Sequence, residues 1–417
     1  MNKKSFIITA LSSIVQYYDY HLFGFLAASI AKNFFPADNE ATSLINTYLV
    51  MFIAVLAKPI GSVILGRIGD TFGRQTTINI SITCLAIASL LISILPDFNS
   101  IGITSCLLLL IARMCIAAFA SSGSDGARLY MYEKISNKRK NFSSGVSTLF
   151  SLTGSFCASI SAWFFTLDSM PKDFWRLAFL LGAVSSFLLI FLRKICIDKN
   201  EDLLLKQEEQ YNTYKDMPLL KIIKQNLLLL FLCVIIAGSI GGTYQFNFVF
   251  LATYNSKILQ TIDLSSMQFY RSIGIVIYIV FSIIGGILAD KTNPRVLATL
   301  AAIMLIILGF LNCYLIKHNK FFLIIYLLNS AMLPLLNMPS LTLIKSSIPK
   351  VIRYRLFSLA HSLGSIMISG PTSLLATSMY HWSAIKYLPL FYFIAMVLVS
   401  AVAMNVLSKM SKLIIRT

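Results

Sequence analysis

Apolar runs long enough to cross a bilayer recur along the whole chain. A hydrocarbon core of roughly 30 Å takes about twenty helical residues. The twelve runs of about this length cover residues 6–31, 44–66, 76–95, 101–122, 142–166, 174–195, 226–252, 268–289, 295–316, 321–344, 356–380 and 386–408. The strict alternation and even spacing typical of barrel strands do not occur. The pattern predicts an all-α polytopic membrane protein with twelve transmembrane helices.

Composition agrees with that class. The 417 residues are 57% hydrophobic and 12% charged, whereas soluble domains are close to half apolar and a quarter charged. The net charge of +18 raises the question of nucleic acid. If the N-terminus is cytoplasmic, 25 of the 35 Lys and Arg fall in cytoplasmic segments and 8 on the opposite face, with Lys58 and Arg113 inside spans. This distribution indicates membrane topology and no nucleic-acid partner. We expect a multi-pass protein of a bacterial inner membrane with both termini cytoplasmic.

One polar break divides the chain. Residues 196–225 carry mixed charge and separate six spans from six. The predicted domains are an N-terminal six-helix bundle (1–195), a cytoplasmic central loop (196–225) and a C-terminal six-helix bundle (226–417).

The two halves share a short motif. "GRIGDTFGRQ" follows the second span and "GGILADKTNPR" follows the eighth. Aligning Asp70 with Asp290 places Gly66 on Gly286, and Gly73 on an asparagine that also tolerates a left-handed turn. The halves are therefore predicted to be tandem repeats.

The pattern G-x-x-x-D-x-x-G-R between spans 2 and 3, its weaker copy between spans 8 and 9, and the six-plus-six arrangement resemble the major facilitator superfamily. Within it the sequence is most similar to the metabolite:proton symporters, which include proline/betaine and α-ketoglutarate transporters. Four stretches carry the resemblance: Tyr17–Pro36, Lys58–Gln75, Tyr132–Phe142 and Ile348–Ala360. The resemblance implies two helical bundles, a central site near the bilayer midplane and alternating access.

The loop motif is a candidate conformational latch. Gly66 has no side chain and lets span 2 approach a neighbouring helix closely. Asp70 can meet the positive N-terminal end of another helix or an arginine. By resemblance, this contact would hold one of the two access states; the alternative is a solvated topology loop. The predicted latch residues are Gly66, Asp70, Gly73, Arg74, Gly286 and Asp290.

Asp19 is an ionisable residue inside the first span. A charge near the bilayer centre costs roughly 2.5 to 3.5 kcal/mol on insertion scales and usually faces a cavity. Helical spacing places Gln16, Asp19 and Phe23 on one face with Tyr20 beside them. We expect Asp19 to carry a proton or pair with an ammonium group; the alternative is a hydrogen bond that holds the bundle together.

The resemblance also marks departures. The symporters read roughly E-W-[YF]-D-[FY] where this chain has Gln16 and Asp19, so one of two acidic groups is absent. In span 4, Asp125 lies two residues from the glutamate of the G-G-E-Y pattern, a rotation of about 200° on a helix. We expect Asp19 to be the better proton carrier and Asp125 the second. Arg113, deep in span 4, needs either a carboxylate from another helix or an anionic substrate group.

Span 7 supplies polar residues in the second half. "GGTYQFNF" contains Tyr244, Gln245 and Asn247, which suit either a hydrogen-bonding solute or helix-to-helix contacts.

Four other residues are expected to be structural. Lys58 precedes Pro59 and is expected to reach water through a kink, and Arg271 is expected to extend to the membrane surface. His21 and His361 are expected to be hydrogen-bonded structural histidines.

The predicted function is proton-coupled symport of a small zwitterionic solute of the proline or glycine betaine type. Two alternatives stay open: a proton symporter of a di- or tricarboxylate such as α-ketoglutarate, with Arg113 and Lys58 as its cations, or a non-transporting solute sensor of the same fold. No P-loop, metal-ligand cluster or G-x-S-x-G motif is present. We therefore expect no enzyme activity, no catalytic residue, no metal and no cofactor. The expected partners are a small solute, H⁺ and lipid, and the expected state is a monomer.

Overall fold

A computed structural model describes residues 3–37, 39–61, 64–65, 74–134, 137–167, 169–196, 219–318, 320–321, 323–349 and 352–414. Within these ranges every regular element is helical. The elements form twelve long spans, as the apolar runs predict.

The first six spans form the N-terminal bundle. They are span 1 (Lys3–Phe25, continuing after a bend as Ala27–Phe34), span 2 (Glu40–Val55), span 3 (Arg74–Ile94), span 4 (Ile103–Lys134), span 5 (Lys140–Phe165) and span 6 (Trp175–Cys196). Asn39 begins span 2 by accepting a hydrogen bond from the Ala41 backbone N–H, as an N-cap residue does.

The other six form the C-terminal bundle. They are span 7 (Leu227–Gln245, with further turns to Ile258), span 8 (Leu264–Lys291), span 9 (Pro294–Lys317), span 10 (Leu323–Ser347), span 11 (Arg353–Gly364 and Thr372–Ser383) and span 12 (Leu388–Ile414). A short helix, Leu219–Gln225, precedes span 7. The rest of the predicted central loop, residues 197–218, lies outside the described residues.

Nine helices in the described part of the chain are long and apolar enough to cross a membrane. They belong to spans 2, 4 to 10 and 12. Span 3 contributes a shorter apolar helix, Ile78–Ile94. Spans 1 and 11 are interrupted and carry buried polar side chains, which are tolerated because they face protein rather than lipid.

Span 4 extends farther than its apolar run. The sequence predicts an end near residue 122, but the helix continues to Lys134. The Gly-, Ser- and Asp-containing turns beyond the apolar run include the buried Ser124 and Asp125. Backbone bonds within the helix satisfy these turns in a protein environment, so low hydropathy does not end the helix.

Close packing holds the two bundles together along two interfaces. Span 5 packs along span 8, and span 2 packs along the second part of span 11. At the first interface, a Cβ added to Gly286 would lie 2.8 Å from the backbone oxygen of Asn141. Only glycine fits there without moving the backbone of one bundle.

Candidate functional site: a central cavity between the bundles

A cavity of about 140 Å³ lies between the two bundles. Spans 1, 2, 4 and 5 line it from one bundle, and spans 7, 8, 10 and 11 line it from the other. The same four positions of each repeat thus contribute, which agrees with a tandem duplication.

Span 1 presents a polar and aromatic face to the cavity. Gln16, Tyr17, Tyr20 and His21 are lining residues. On a helix that advances about 100° per residue, their side chains centre on one face, and Asp19 lies about 130° from that centre. Of the predicted stripe of Gln16, Asp19 and Phe23, only Gln16 lines the cavity.

Asp19 is fully buried inside the N-terminal bundle. Its carboxylate accepts hydrogen bonds from the hydroxyls of Ser89 in span 3, at 2.8 Å, and Ser186 in span 6, at 3.4 Å. These bonds tie three spans together at a point outside the cavity lining. The predicted alternative of a bundle-holding hydrogen bond matches this geometry.

Arg113 and Phe23 lie behind the cavity face. Arg113 donates through Nη2 to the backbone oxygen of Tyr20 at 2.9 Å. Its guanidinium lies 5.1 Å from the Tyr20 ring centroid and 5.0 Å from that of Phe23. Nε and Nη1 of this buried side chain have no hydrogen-bond partner. The acceptors found are thus a carbonyl and two rings, rather than the carboxylate that the sequence led us to consider.

Lys58 lines the cavity, contrary to the expectation that a kink takes it to water. Its side chain is 4% exposed. The ammonium donates to the Ser365 hydroxyl of span 11 at 3.0 Å and lies 4.8 Å from the Tyr20 ring centroid. The kink exists, since the helix of span 2 is interrupted after Val55. The lysine points inward, where Ser365 accepts its hydrogen bond.

Arg128 also lines the cavity, which the sequence pattern did not predict. Its Nη2 donates to the Tyr17 hydroxyl, and its guanidinium lies 5.2 Å from the Tyr17 ring centroid. It stands about two turns beyond the apolar part of span 4, where a basic residue is normally assigned to topology. Its spacing of three residues from Asp125 was the available signal.

Asp125 connects the two bundles. The carboxylate is 1% exposed and lies 3.6 Å from Nη1 of Arg128. Across the interface, Nδ1 of His361 lies 3.1 Å from one carboxylate oxygen and 3.2 Å from the other. The Ser358 hydroxyl donates to it at 3.4 Å. His361 is bonded, as predicted, and it also lines the cavity.

Span 7 divides its predicted residues between two environments. Tyr244 and Gln245 line the cavity, and the Tyr244 ring centroid lies 4.9 Å from that of His21. Asn247 is fully buried in the C-terminal bundle, where its Nδ2 donates to the Ser330 hydroxyl at 3.2 Å. The helix changes to a π-helical turn at Phe246–Phe250, which redirects the residues that follow.

On the side where spans 4, 8 and 10 end, here called the basic side, Asp290 joins the bundles. Its carboxylate accepts hydrogen bonds of 2.9 Å from the backbone N–H groups of Asn141 and Phe142 and from Nδ2 of Asn141. These N–H groups are at the start of span 5, the positive end of that helix. In the first copy of the motif, Gly66, Asp70 and Gly73 lie outside the described residues, as does the side chain of Arg74.

On the opposite side, the bundles are also in contact. Tyr48 and Thr253 share a hydrogen bond of 2.5 Å, and Thr166 donates to Gln268 at 2.5 Å. Arg271 was expected to extend to the membrane surface, but it is 1% exposed. It packs between the bundles, which a hydropathy profile cannot indicate because the profile records depth and not direction. The two bundles are therefore in contact on both sides of the cavity.

Two six-helix bundles around a central cavity define the architecture of a secondary transporter. The chain belongs to the Major Facilitator Superfamily, whose family model matches residues 9–370. It is a multi-pass membrane transporter rather than an enzyme.

Relatives and solved structures agree with this assignment. A protein of Staphylococcus aureus (strain MSSA476) named "Putative proline/betaine transporter" is 26% identical over 405 residues, covering 94% of this chain and 85% of that protein. A citrate-proton symporter of Salmonella typhi is 24% identical over 388 residues, covering 90% and 87%. The crystal structure of a D-xylose-proton symporter has a TM-score of 0.73 at 16% identity and 96% coverage of both chains. At that identity the likeness is one of fold.

Proposed function

We propose that this chain is a proton-coupled symporter of a small carboxylate-bearing solute in a bacterial inner membrane. The observation that carries the proposal is the charge of the cavity lining. Lys58 and Arg128 line it, and none of its described lining residues is Asp or Glu. Two cations in a confined site favour an anionic group, which Arg can bind through two parallel hydrogen bonds.

The cavity favours a compact solute. Its volume of about 140 Å³ is close to the roughly 150 Å³ of an engineered cavity that holds benzene in another protein. Proline and glycine betaine are of that order. The rings of Tyr17, Tyr20 and Tyr244 could receive the ammonium end of such a zwitterion by cation–π contact, while Lys58 or Arg128 holds the carboxylate. The relative named for proline and betaine supports this choice.

A di- or tricarboxylate is the second candidate. Lys58 and Arg128 together could bind two carboxylates, and a relative is named a citrate-proton symporter. The cavity volume of about 140 Å³ favours the zwitterion, which is the smaller solute, while the bundles are in contact on both sides as they are here.

For proton coupling, we propose Asp125 with His361 in preference to Asp19. Ionised Asp125 attracts Arg128 and His361 and ties span 4 to span 11 on the basic side. Protonation removes that attraction and favours opening on this side. Asp19 remains a candidate proton carrier, but its bonds to Ser89 and Ser186 lie within one bundle and do not change when the bundles part.

The basic side is assigned to the cytoplasm. Lys134, Lys140, Lys291 and Lys345 lie at the ends of spans on this side, as the positive-inside rule requires. Both termini then lie in the cytoplasm. The carboxylate tie at Asp290 would favour the state that is closed toward the cytoplasm.

Counterflow in proteoliposomes tests the proposal. Vesicles loaded with unlabelled proline, glycine betaine, α-ketoglutarate or citrate are diluted into the labelled solute, with and without a pH gradient. We expect counterflow exchange of proline or glycine betaine, and net accumulation in vesicles without internal solute only when the pH gradient is present. Exchange of citrate alone would favour the second candidate, and binding without exchange would favour a sensor. No binding and no exchange of any of the four would contradict the proposal.

A further inference from the structure

Arg271 is a buried cation between the bundles that the transport scheme has not used. It lies two turns after the start of span 8. Its side chain reaches across to the N-terminal bundle. Nε donates to the Ser159 hydroxyl at 3.1 Å, and Nη1 donates to the Phe25 backbone oxygen at 3.4 Å. The guanidinium lies 4.2 Å from the Phe25 ring centroid.

Within the described part of the chain, this guanidinium has no anionic partner. Among the described residues, no Asp or Glu forms an ion pair with it, and Nη2 has no hydrogen-bond partner. A buried charge without compensation is costly, and such groups in membrane spans are associated with substrate pathways. Two N–H donors on one edge of a guanidinium match the geometry of a carboxylate.

Arg271 lies between the cavity and the side of the protein that is opposite the basic side. One turn toward that side, Gln268 accepts the hydrogen bond from Thr166 that joins the bundles. Toward the cavity, Phe25 stacks on His21 at 5.8 Å, and His21 contacts Tyr244. A solute that enters when the bundles part at this end must pass this arginine before it reaches Lys58.

We propose that Arg271 is an entry-side binding residue for the carboxylate of the transported solute. With the bundles apart, Nη1 and Nη2 receive the carboxylate; on closure, Nη1 returns to the Phe25 carbonyl and the solute moves to the cavity cations. Ser159, which also shares a hydrogen bond of 2.8 Å with Ser272, holds the arginine in place in the closed arrangement seen here. This inference rests on the proposed function.

The test compares a carboxylate solute with an analogue that lacks the negative charge. Glycine betaine is paired with choline, or citrate with trimethyl citrate if citrate is the solute that exchanges. Competition against labelled solute added on the side of Arg271, and the solute-induced shift in unfolding temperature of the purified protein, are measured for wild type, Arg271→Lys and Arg271→Gln. Arg176→Gln is the matched control, because Arg176 also stacks on aromatic rings but stays within one bundle.

We expect Arg271→Gln to reduce the preference for the carboxylate solute by about tenfold or more, the size of one lost hydrogen bond to a charged group. Arg271→Lys should retain part of it, and Arg176→Gln all of it. An unchanged preference in a folded Arg271→Gln protein would overturn the inference, as would an equal loss when the solute is added on the basic side. Absence of proton-driven uptake in wild type would remove the proposed function instead. The solute-induced shift in unfolding temperature would still report the preference for a carboxylate solute. If no carboxylate solute shifts the unfolding temperature of the wild type, the inference is overturned.

Discussion

Nδ1 of His361 in span 11 lies 3.1 Å from a carboxylate oxygen of Asp125 in span 4, so an acid and an imidazole join the two bundles beside the cavity. Asp125 is almost fully buried, whereas the His361 side chain is 23% exposed. A proton can therefore reach the pair from the cavity. The pair is broken whenever spans 4 and 11 separate.

Replacing Asp125 with Asn should uncouple transport from protons. The amide resembles the protonated acid and removes the attraction to Arg128 and His361. We expect solute accumulation under a pH gradient to be lost, while counterflow stays within about threefold of wild type. Retention of gradient-driven accumulation by Asp125→Asn would rule out this carrier.

Removing either cavity cation should weaken solute binding. Lys58→Gln and Arg128→Gln are each expected to raise the KM for a carboxylate solute by about ten- to a hundredfold, because a charge-assisted hydrogen bond is lost. Arg176→Gln is the control, since Arg176 donates to the Leu95 backbone oxygen within the N-terminal bundle. Unchanged KM in both cavity variants would mean that the solute binds elsewhere.

Asp290 should affect the access equilibrium rather than folding. Asp290→Asn loses the negative charge at the start of span 5 and should slow uptake while membrane insertion and unfolding temperature stay near wild type. The control is Asp97→Asn, which removes a carboxylate that also accepts a helix N-terminal hydrogen bond, from Ser100, but within one bundle. Cysteine accessibility on the basic side would measure the shift. Equal effects of the two substitutions would contradict a latch.

Asp19→Asn should alter stability more than transport. The carboxylate accepts two hydroxyl bonds within the N-terminal bundle, so we expect a lower unfolding temperature and a KM within about threefold of wild type. Ser89→Ala should lower the unfolding temperature in the same direction. Loss of proton-driven accumulation with intact counterflow would instead return the carrier role to Asp19.

The sequence predicts well how deep a residue lies in the membrane. It predicts poorly which way the side chain of that residue points from its helix. Apolar length is sufficient to locate the spans, and the charge of Asp290 at the end of span 8 is sufficient to anticipate a contact with another helix terminus. The side chains of Lys58 and Arg271 point between the bundles rather than to water, and that of Asp19 points into the N-terminal bundle. A helix presents several faces to protein, and the face toward the cavity is set by packing partners far apart in the chain, such as Ser186 for Asp19 and Ser365 for Lys58.

The predicted length of span 4 was also too short, for a physical reason. The serine and glycine residues in the turns of span 4 beyond its apolar run have low hydropathy, so a hydropathy profile ends the helix before Asp125 and Arg128. The tertiary environment, rather than composition, keeps them helical, and these two residues are central to the proposed site.

The π-helical turns at Phe246–Phe250 and Ser365–Ser369 interrupt the two spans that approach each other in the C-terminal bundle. A π turn accommodates one residue more than an α turn, so it usually records a single-residue insertion. Deleting one residue there would restore a regular helix and rotate everything beyond it by about 100°. In span 11, that deletion would displace Thr372 from the Met396 sulfur that its hydroxyl contacts at 3.8 Å. Relatives that differ by one residue in these turns would therefore present different side chains to their solutes, which gives this fold an inexpensive route to new specificities.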